Sequence, residues 1–380
     1  MDPNKEISKD RIISSFLQAS DINMDEKITK KEWVEFGEKN LFPKELIEIN
    51  LKSAKNYSIL KNLSNMIVGN GFNPKTPAGI SFVENQYSKL TLNGILEKIS
   101  LDFVLTGAFS LNVIWSRDGK SISKIKYVPV EKVRIAKVED EDLDVDESIE
   151  DYYLCDDWGN IRKNKPKFIK GFDPKDTSQR SQLVYVKRNT PGMEYYSLPH
   201  YIGAINWVRL DYHVSEYHLN NALNGYHPSM LINLSTGIPS VEEQRRVKSK
   251  MDEMFKGTSS AGKMMLTFSE GKDTAPTIEP LNLSDSDKKY IDIDKLIMDN
   301  LLIANNITNP MLVGIMIPGQ LGGGSELVDS FNLLQITLIN SYQSIIEETF
   351  NELASFNNIQ EQLKISELNY SKKEEKIIEE

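Results

Sequence analysis

Apolar positions recur at helical spacing along two stretches in the last third of the chain, and a glycine-rich loop separates them. Tyr290, Ile293, Leu296, Ile297, Leu301 and Ala304 follow the i, i+3, i+4 pattern of an amphipathic helix. Pro310 ends it, because proline has no amide to donate and biases the residue before it away from helical angles. Leu327, Phe331, Leu334, Leu338, Ile345 and Phe350 predict a second helix opening at Ser325. At about thirty residues it would run roughly 45 Å, at about 1.5 Å per residue. The loop between them holds Pro318 and Gly319, then Gly322, Gly323 and Gly324. Three glycines in a row cost the folded state backbone entropy, so the loop predicts mobility or a close backbone approach.

Earlier in the chain the same reading predicts a helix from Lys44 to about Val68, stopped at Gly69 and Gly71, and another from about Thr91 to Thr106, stopped at Gly107. Strands follow over Ala108 to Ser116 and Ile122 to Val128, joined by the turn Arg117, Asp118, Gly119, Lys120, with more extended chain over Val133 to Val138. Tyr152 to Leu154 and Asp157 to Asn160 suggest a hairpin between an acidic run, Glu139 to Asp157, and a basic one, Arg162 to Arg188; the opposite charge blocks predict an exposed lobe over 139–188. Leu183 to Val186 is strand-like. A helix from about Tyr201 to Asn224 precedes a strand at Met230 to Leu234, a helix from Ser240 to Lys256 with the Ser-x-x-Glu spacing of a capping box, and a strand at Lys263 to Phe268. The class is α+β.

Charge narrows the function. The net charge of −10 over 380 residues disfavours a protein that coats nucleic acid, which needs clustered Lys and Arg. No Lys or Arg falls between Lys295 and Lys364, and the glycine-rich loop lacks the strand, spacing and lysine of a phosphate cradle. The one cysteine, Cys155, excludes an internal disulfide and fits a reducing compartment. Neither a secretory signal nor an apolar run of membrane-spanning length is present, so a soluble chain is expected.

One leader segment has metal-ligand spacing. Asp21, Asn23 and Asp25 fall on positions 1, 3 and 5 of an EF-hand loop, Lys27 on the backbone-carbonyl position 7 and Glu32 on the bidentate position 12. Glu26 stands where such a loop has its turn glycine, and no second hand is present. A calcium-binding regulatory or structural protein is therefore one reading, and a solvated helix connection another. His200, His213, His218 and His227 lie in one region, but His213 and His218 are about 140° apart on a helix and do not share a face. No nucleophile elbow or dinucleotide fingerprint occurs, so catalysis is not expected. Asp140 to Asp146 could be read as Mg²⁺ ligands of a nucleic-acid enzyme, though such a run is better explained as a solvated face.

The order of several short motifs resembles the portal proteins of tailed bacteriophages. They are Trp33 with Gly37 to Pro43, the helix ending at Gly69 to Phe72, Tyr196 to Pro199 with Tyr201, Gly203 and Ala204, Asn224 and Gly225 with Pro228, and Asn309, Pro310, Leu312 and Gly314 followed by Gly322 to Glu326. The resemblance spans about Trp33 to Phe356.

It implies a ring-forming portal fold. A leader with the EF-hand-like loop (1–32) would precede a wing over 33–198, a first stem helix over 199–228, an α/β clip over 229–284 and a second stem helix over 285–307. A tunnel loop over 308–325, a long wing helix over 326–357 and a short crown or tail over 358–380 would complete the chain. It further implies a closed ring of about twelve copies around a channel for double-stranded DNA, at one vertex of a virion whose parts assemble in the host cytoplasm. Major capsid protein, terminase motor and tail adaptor would be its partners, with no membrane and no required cofactor. Gln320, Leu321, Gly322, Gly323, Gly324 and Ser325 would face the DNA channel. Arg245, Arg246, Lys248 and Lys250, crowded on the clip helix, would form the docking surface.

Overall fold

The computed structural model describes residues 22–84, 90–137, 151–224, 230–234, 240–254, 264–268, 284–315 and 324–368. Its strands are β1 (Glu26–Lys27), β2 (Glu35–Phe36), β3 (Ala108–Trp115), β4 (Ile122–Val128), β5 (Val133–Ile135), β6 (Tyr152–Leu154), β7 (Lys167–Gly171), β8 (Ser181–Lys187), β9 (Met230–Leu234) and β10 (Met264–Phe268). Its helices are α1 (Phe42–Lys52), α2 (Ala54–Val68), α3 (Pro77–Glu84), α4 (Leu92–Thr106), α5 (Ile205–Asn224), α6 (Val241–Met254), α7 (Ser284–Ala304), α8 (Gly324–Leu334) and α9 (Asn340–Ser355). The chain divides into two compact units. The first is built from Met1–Glu48, Leu60–His200 and Leu321–Glu380, the second from Ile49–Ile59 and Tyr201–Gln320.

The first unit is organised on a six-stranded sheet of order β4-β3-β8-β7-β6-β5, antiparallel except where β7 meets β8. Central β3 is buried along most of its length, as a strand covered on both faces must be. Helix α4 begins at Thr91, whose side chain accepts the Gly94 amide, and ends at Gly107, whose φ of 82° is left-handed. A Cβ at Gly107 would lie 2.6 Å from the Leu198 carbonyl oxygen, so both conformation and space demand glycine there. The turn from β3 to β4 likewise places Gly119 at φ 70°. Phe103, Phe109, Trp115, Tyr342 and Phe350 are each no more than 1% exposed and form the centre of this unit.

Several expectations are corrected. Residues 151–188 are not an exposed lobe: they supply β6, β7 and β8, and Tyr152, Trp158, Ile169 and Leu183 are buried. Residues 138–150 lie outside the described residues. The C-terminal piece through 368 is neither crown nor loose tail, because Leu363 and Ile365 are buried and Ile365 bridges to Phe72. The predicted helix over 44–68 is two, α1 and α2, since the Ser53 hydroxyl accepts the Asn56 amide and starts a new helix. The helix from 324 to 355 is continuous but widens into a π-helical stretch over Gln335–Ile339. There the buried Gln335 amide donates to Asn340 Oδ1 and Gln343 Oε1, and Gln343 donates to the Ile67 carbonyl.

The second unit pairs α5 with α7 and carries a parallel β9–β10 pair with α6 between the two strands in the chain.

Candidate stem, clip and channel surfaces

Where α1 gives way to α2, a polar network ties this segment to α5 and α7. Asp211, 7% exposed, accepts from the Ser53 hydroxyl at 2.8 Å, the Lys55 amide at 3.3 Å and the Lys55 ammonium at 2.9 Å. Lys55 also bonds Asp294 on α7. Burial pulls the lysine pKa down, but its bonds to Asp294 and Asp211 outweigh that and hold it above its ordinary value. Alongside, Asn50 donates to the Tyr201 hydroxyl at 2.8 Å, Asn56 to Asn50 at 2.6 Å, and Asn305 to Asn56 at 3.1 Å. Asn50, Asn56 and Asn305 are fully buried and satisfied, so the network fixes where both long helices meet the α1–α2 junction. Reading the sequence missed this cluster. The signal available was the crowding of polar residues Asn50, Lys52, Ser53, Lys55 and Asn56 inside an otherwise amphipathic pattern.

Away from that buried network, α5 and α7 also expose apolar side chains. Leu219 is 58% exposed, Leu296 51% and Ile303 73%.

Helix α6 opens with the expected capping box. Ser240 Oγ accepts the Glu243 amide at 3.4 Å, while Glu243 accepts the Ser240 amide at 3.1 Å and its hydroxyl at 2.9 Å. The hydroxyl bond holds Glu243 below the usual carboxylate range. Arg245, Arg246 and Lys250 are exposed on this helix; the side chain of Lys248 is outside the described residues.

The loop over 308–325 is only partly described. Asn309 accepts the Met311 amide at 3.0 Å, Pro310–Val313 makes a short 3₁₀ turn, and Gly314 closes it at φ 81°. Gln320, Leu321, Gly322 and Gly323 lie outside the described residues. Gly324, expected in the loop, instead begins α8, and Ser325, which the resemblance put in the loop, lies in the helix where the apolar spacing opened it.

The leader forms a hairpin. Asp21 is outside the described residues, Asn23 donates to Asp25 Oδ2 at 3.0 Å, and Glu26 and Lys27 form β1 against β2. The Glu26 carboxylate accepts the amides of Glu194, Tyr195 and Tyr196 at 2.9, 3.0 and 2.6 Å, so the residue that departs from the EF-hand pattern ties two chain segments together. Glu32 is exposed and its carbonyl accepts the Lys137 amide at 2.9 Å. No group of three or more His, Cys, Asp or Glu gathers around a common point among the described residues. His200 faces the Tyr342 hydroxyl at 2.9 Å, His213 pairs with Glu216, and His227 is outside the described residues.

Two long paired helices and a β-α-β segment in one unit, with a six-stranded sheet in the other, make an α+β chain. No protein-family model matches the sequence, and no curated protein matches it. Among solved structures, a chain in the neck of a native GTA particle, computed with C12 symmetry, has a TM-score of 0.54 at 11% identity, covering 90% of this chain and 85% of that one. A chain in the virion of the native gene transfer agent particle has 0.54 at 14% identity, covering 93% and 87%. An HK97 family phage portal protein from Corynebacterium diphtheriae has 0.46 at 11% identity, covering 83% and 94%, a likeness too slight to carry the fold. At these identities the relation is one of fold. Among the described residues no helix is long and apolar enough to cross a membrane.

Proposed function

We propose that the protein is a phage portal, a non-enzymatic ring of about twelve copies through which double-stranded DNA enters and leaves a capsid. The observation that carries this reading is the fold match to a neck chain of a particle computed with C12 symmetry, over 90% of this chain. The virion vertex, contacts with major capsid protein, and assembly in the host cytoplasm follow from the role. Helices α5 and α7 would form the stem, with their exposed apolar side chains covered by neighbouring copies. Helix α6, through Arg245, Arg246, Lys248 and Lys250, would dock first the terminase motor and then the tail adaptor. Residues Gln320 to Ser325 would line the channel, where the absence of Lys and Arg from 296 to 363 lets DNA slide without phosphate contacts that salt would have to break.

Negative-stain imaging and light scattering of the purified chain test this. A closed ring with a central hole is expected; monomer alone at micromolar concentration and physiological salt overturns it. Replacing Gly322, Gly323 and Gly324 by alanine, or Gln320→Lys, should leave rings intact and impair DNA packaging, the lysine variant in a salt-dependent way.

A further inference from the structure

In the first unit, a cavity of about 560 Å³ opens where the end of β6 meets the turn leading into β7. Its walls carry Lys132, Lys163, Lys165 and Lys167 against one carboxylate, Asp156. Asp156 is engaged by Lys132 at 2.8 Å, and Lys163 and Lys165 are exposed with no carboxylate partner among the described residues. On a chain of net charge −10, this is a local excess of positive charge drawn from two separate segments.

A buried charge behind the wall adds to it. Arg134 is 1% exposed and is held by oxygens that carry no formal charge: Asn40 Oδ1 at 2.5 Å and the carbonyls of Asn40 and Val133 at 2.7 and 2.6 Å. It makes no salt bridge among the described residues; burial pulls its pKa down while the charge of Glu131 acts against that, and Lys132 is held chiefly by Asp156. Its guanidinium lies 5.0 Å from the centre of the Trp158 ring, and Trp158 in turn donates to the Lys132 carbonyl at 3.1 Å. A cation in this low-dielectric position is screened less than the exposed lysines. Its charge reaches the cavity wall, where it acts on the Cys155 thiol among the lining residues.

We propose that this cavity binds a small phosphate-bearing ligand of about nucleotide size. Lysine ammoniums are point charges suited to phosphate oxygens. The volume falls within the roughly 300–1,000 Å³ typical of small-molecule sites, whereas a DNA duplex or a folded partner does not enter a pocket of that size. Val128 and Leu154 supply an apolar wall on which the uncharged part of such a ligand can rest. The chemistry suits either a free polyphosphate or a nucleoside polyphosphate. The site lies within one chain and does not rest on ring formation.

Calorimetric titration of the full chain at low salt with tripolyphosphate, with ATP and with poly-glutamate tests the proposal. Both phosphate ligands should bind, with affinity falling as salt rises. ATP binding tighter than tripolyphosphate identifies a nucleotide site using the apolar wall, and equal affinity identifies a polyphosphate site. Lys163→Ala with Lys165→Ala, both at exposed positions, should weaken binding about tenfold. Asp156→Asn, which removes the opposing charge and frees Lys132, should tighten it. The opposite sign of these two changes is not produced by general disruption of the fold. Absence of phosphate binding at millimolar ligand, binding unchanged in the double lysine variant, or binding of poly-glutamate alone overturns the proposal.

Discussion

The two units bury their apolar residues to different degrees. In the sheet-based unit, Phe103, Phe109, Trp115, Tyr342 and Phe350 are closed off by the unit's own elements. In the other, Leu219, Ile291, Leu296 and Ile303 on the long helices are 58, 69, 51 and 73% exposed. Single exposed apolar residues are ordinary on any surface, but several of them on paired helices are what a part completed by other copies would show. The difference teaches where stability and assembly should separate under mutation.

The largest effect tests that separation directly. Phe350→Ala, at a fully buried position, should cost about 3–5 kcal/mol in denaturant unfolding. Ile303→Ala should change stability by no more than about 0.5 kcal/mol. Ile303→Asp with Leu296→Asp should nonetheless lower the ring fraction seen by light scattering. Rings as abundant as wild type would show that this face is not an interface, and a comparable stability loss at both positions would erase the distinction between the units.

Asp102 sharpens the picture of the sheet-based unit. Burial lifts its pKa from 3.8 to about 7, even though the Tyr127 hydroxyl donates to it at 2.8 Å and the Val130 amide at 3.2 Å. The folded state therefore holds this proton more tightly than the unfolded chain. Between about pH 4 and about pH 7 folding takes up a proton, so stability falls as pH rises through that window and levels off above it. The contribution is roughly 4 kcal/mol at most, from about 1.4 kcal/mol per pKa unit. Asp102→Asn should flatten that part of the profile, measured by unfolding at several pH values; an unchanged slope would assign the pH dependence to other groups.

Lys55→Met probes the other unit. It leaves Asp211 with the Ser53 hydroxyl and one amide but without its cation, and should cost about 3 kcal/mol, at the low end for breaking a buried pair because the lysine is partly exposed. Hydrogen exchange should then rise in α5 and α7 while the amides of β3 stay protected. Uniform loss of protection would mean that the two units unfold together.

How much of this was legible in the sequence depended on how local the cause was. Helix α4, the turn through Gly119, and the capping box at Ser240 and Glu243 are written in residues close together, and each was readable. Thr76 and Pro77 carry the N-cap and first-turn signal of α3, which was overlooked. The helix break at Ser53 depends equally on Asp211, which sits 158 residues away, so periodicity alone ran across it. Strands β6 and β7 are short and lie in a charged stretch; only their neighbours in the sheet show that Tyr152 and Ile169 point inward. Among the candidate surfaces, the basic character of α6 was plain from the sequence. The lysine-walled cavity was not, since Lys132 and Lys163 to Lys167 come together only through the pairing of β5, β6 and β7.

The smallest effect on stability, and the most specific on function, belongs to α6. Arg245 and Arg246 are exposed and bonded to no other element among the described residues, so Arg245→Glu with Arg246→Glu should change unfolding free energy by no more than about 0.5 kcal/mol. An interface that uses these guanidiniums would respond differently, because reversing charge at a docking site turns attraction into repulsion and slows association most at low salt. The variant should therefore form rings in normal yield while binding of the motor or adaptor weakens, with the deficit shrinking as salt screens it. Co-sedimentation of rings with the partner at two salt concentrations reads both quantities. A salt-independent deficit would point to lost shape complementarity instead of lost charge, and unaltered binding would leave α6 as solvated surface.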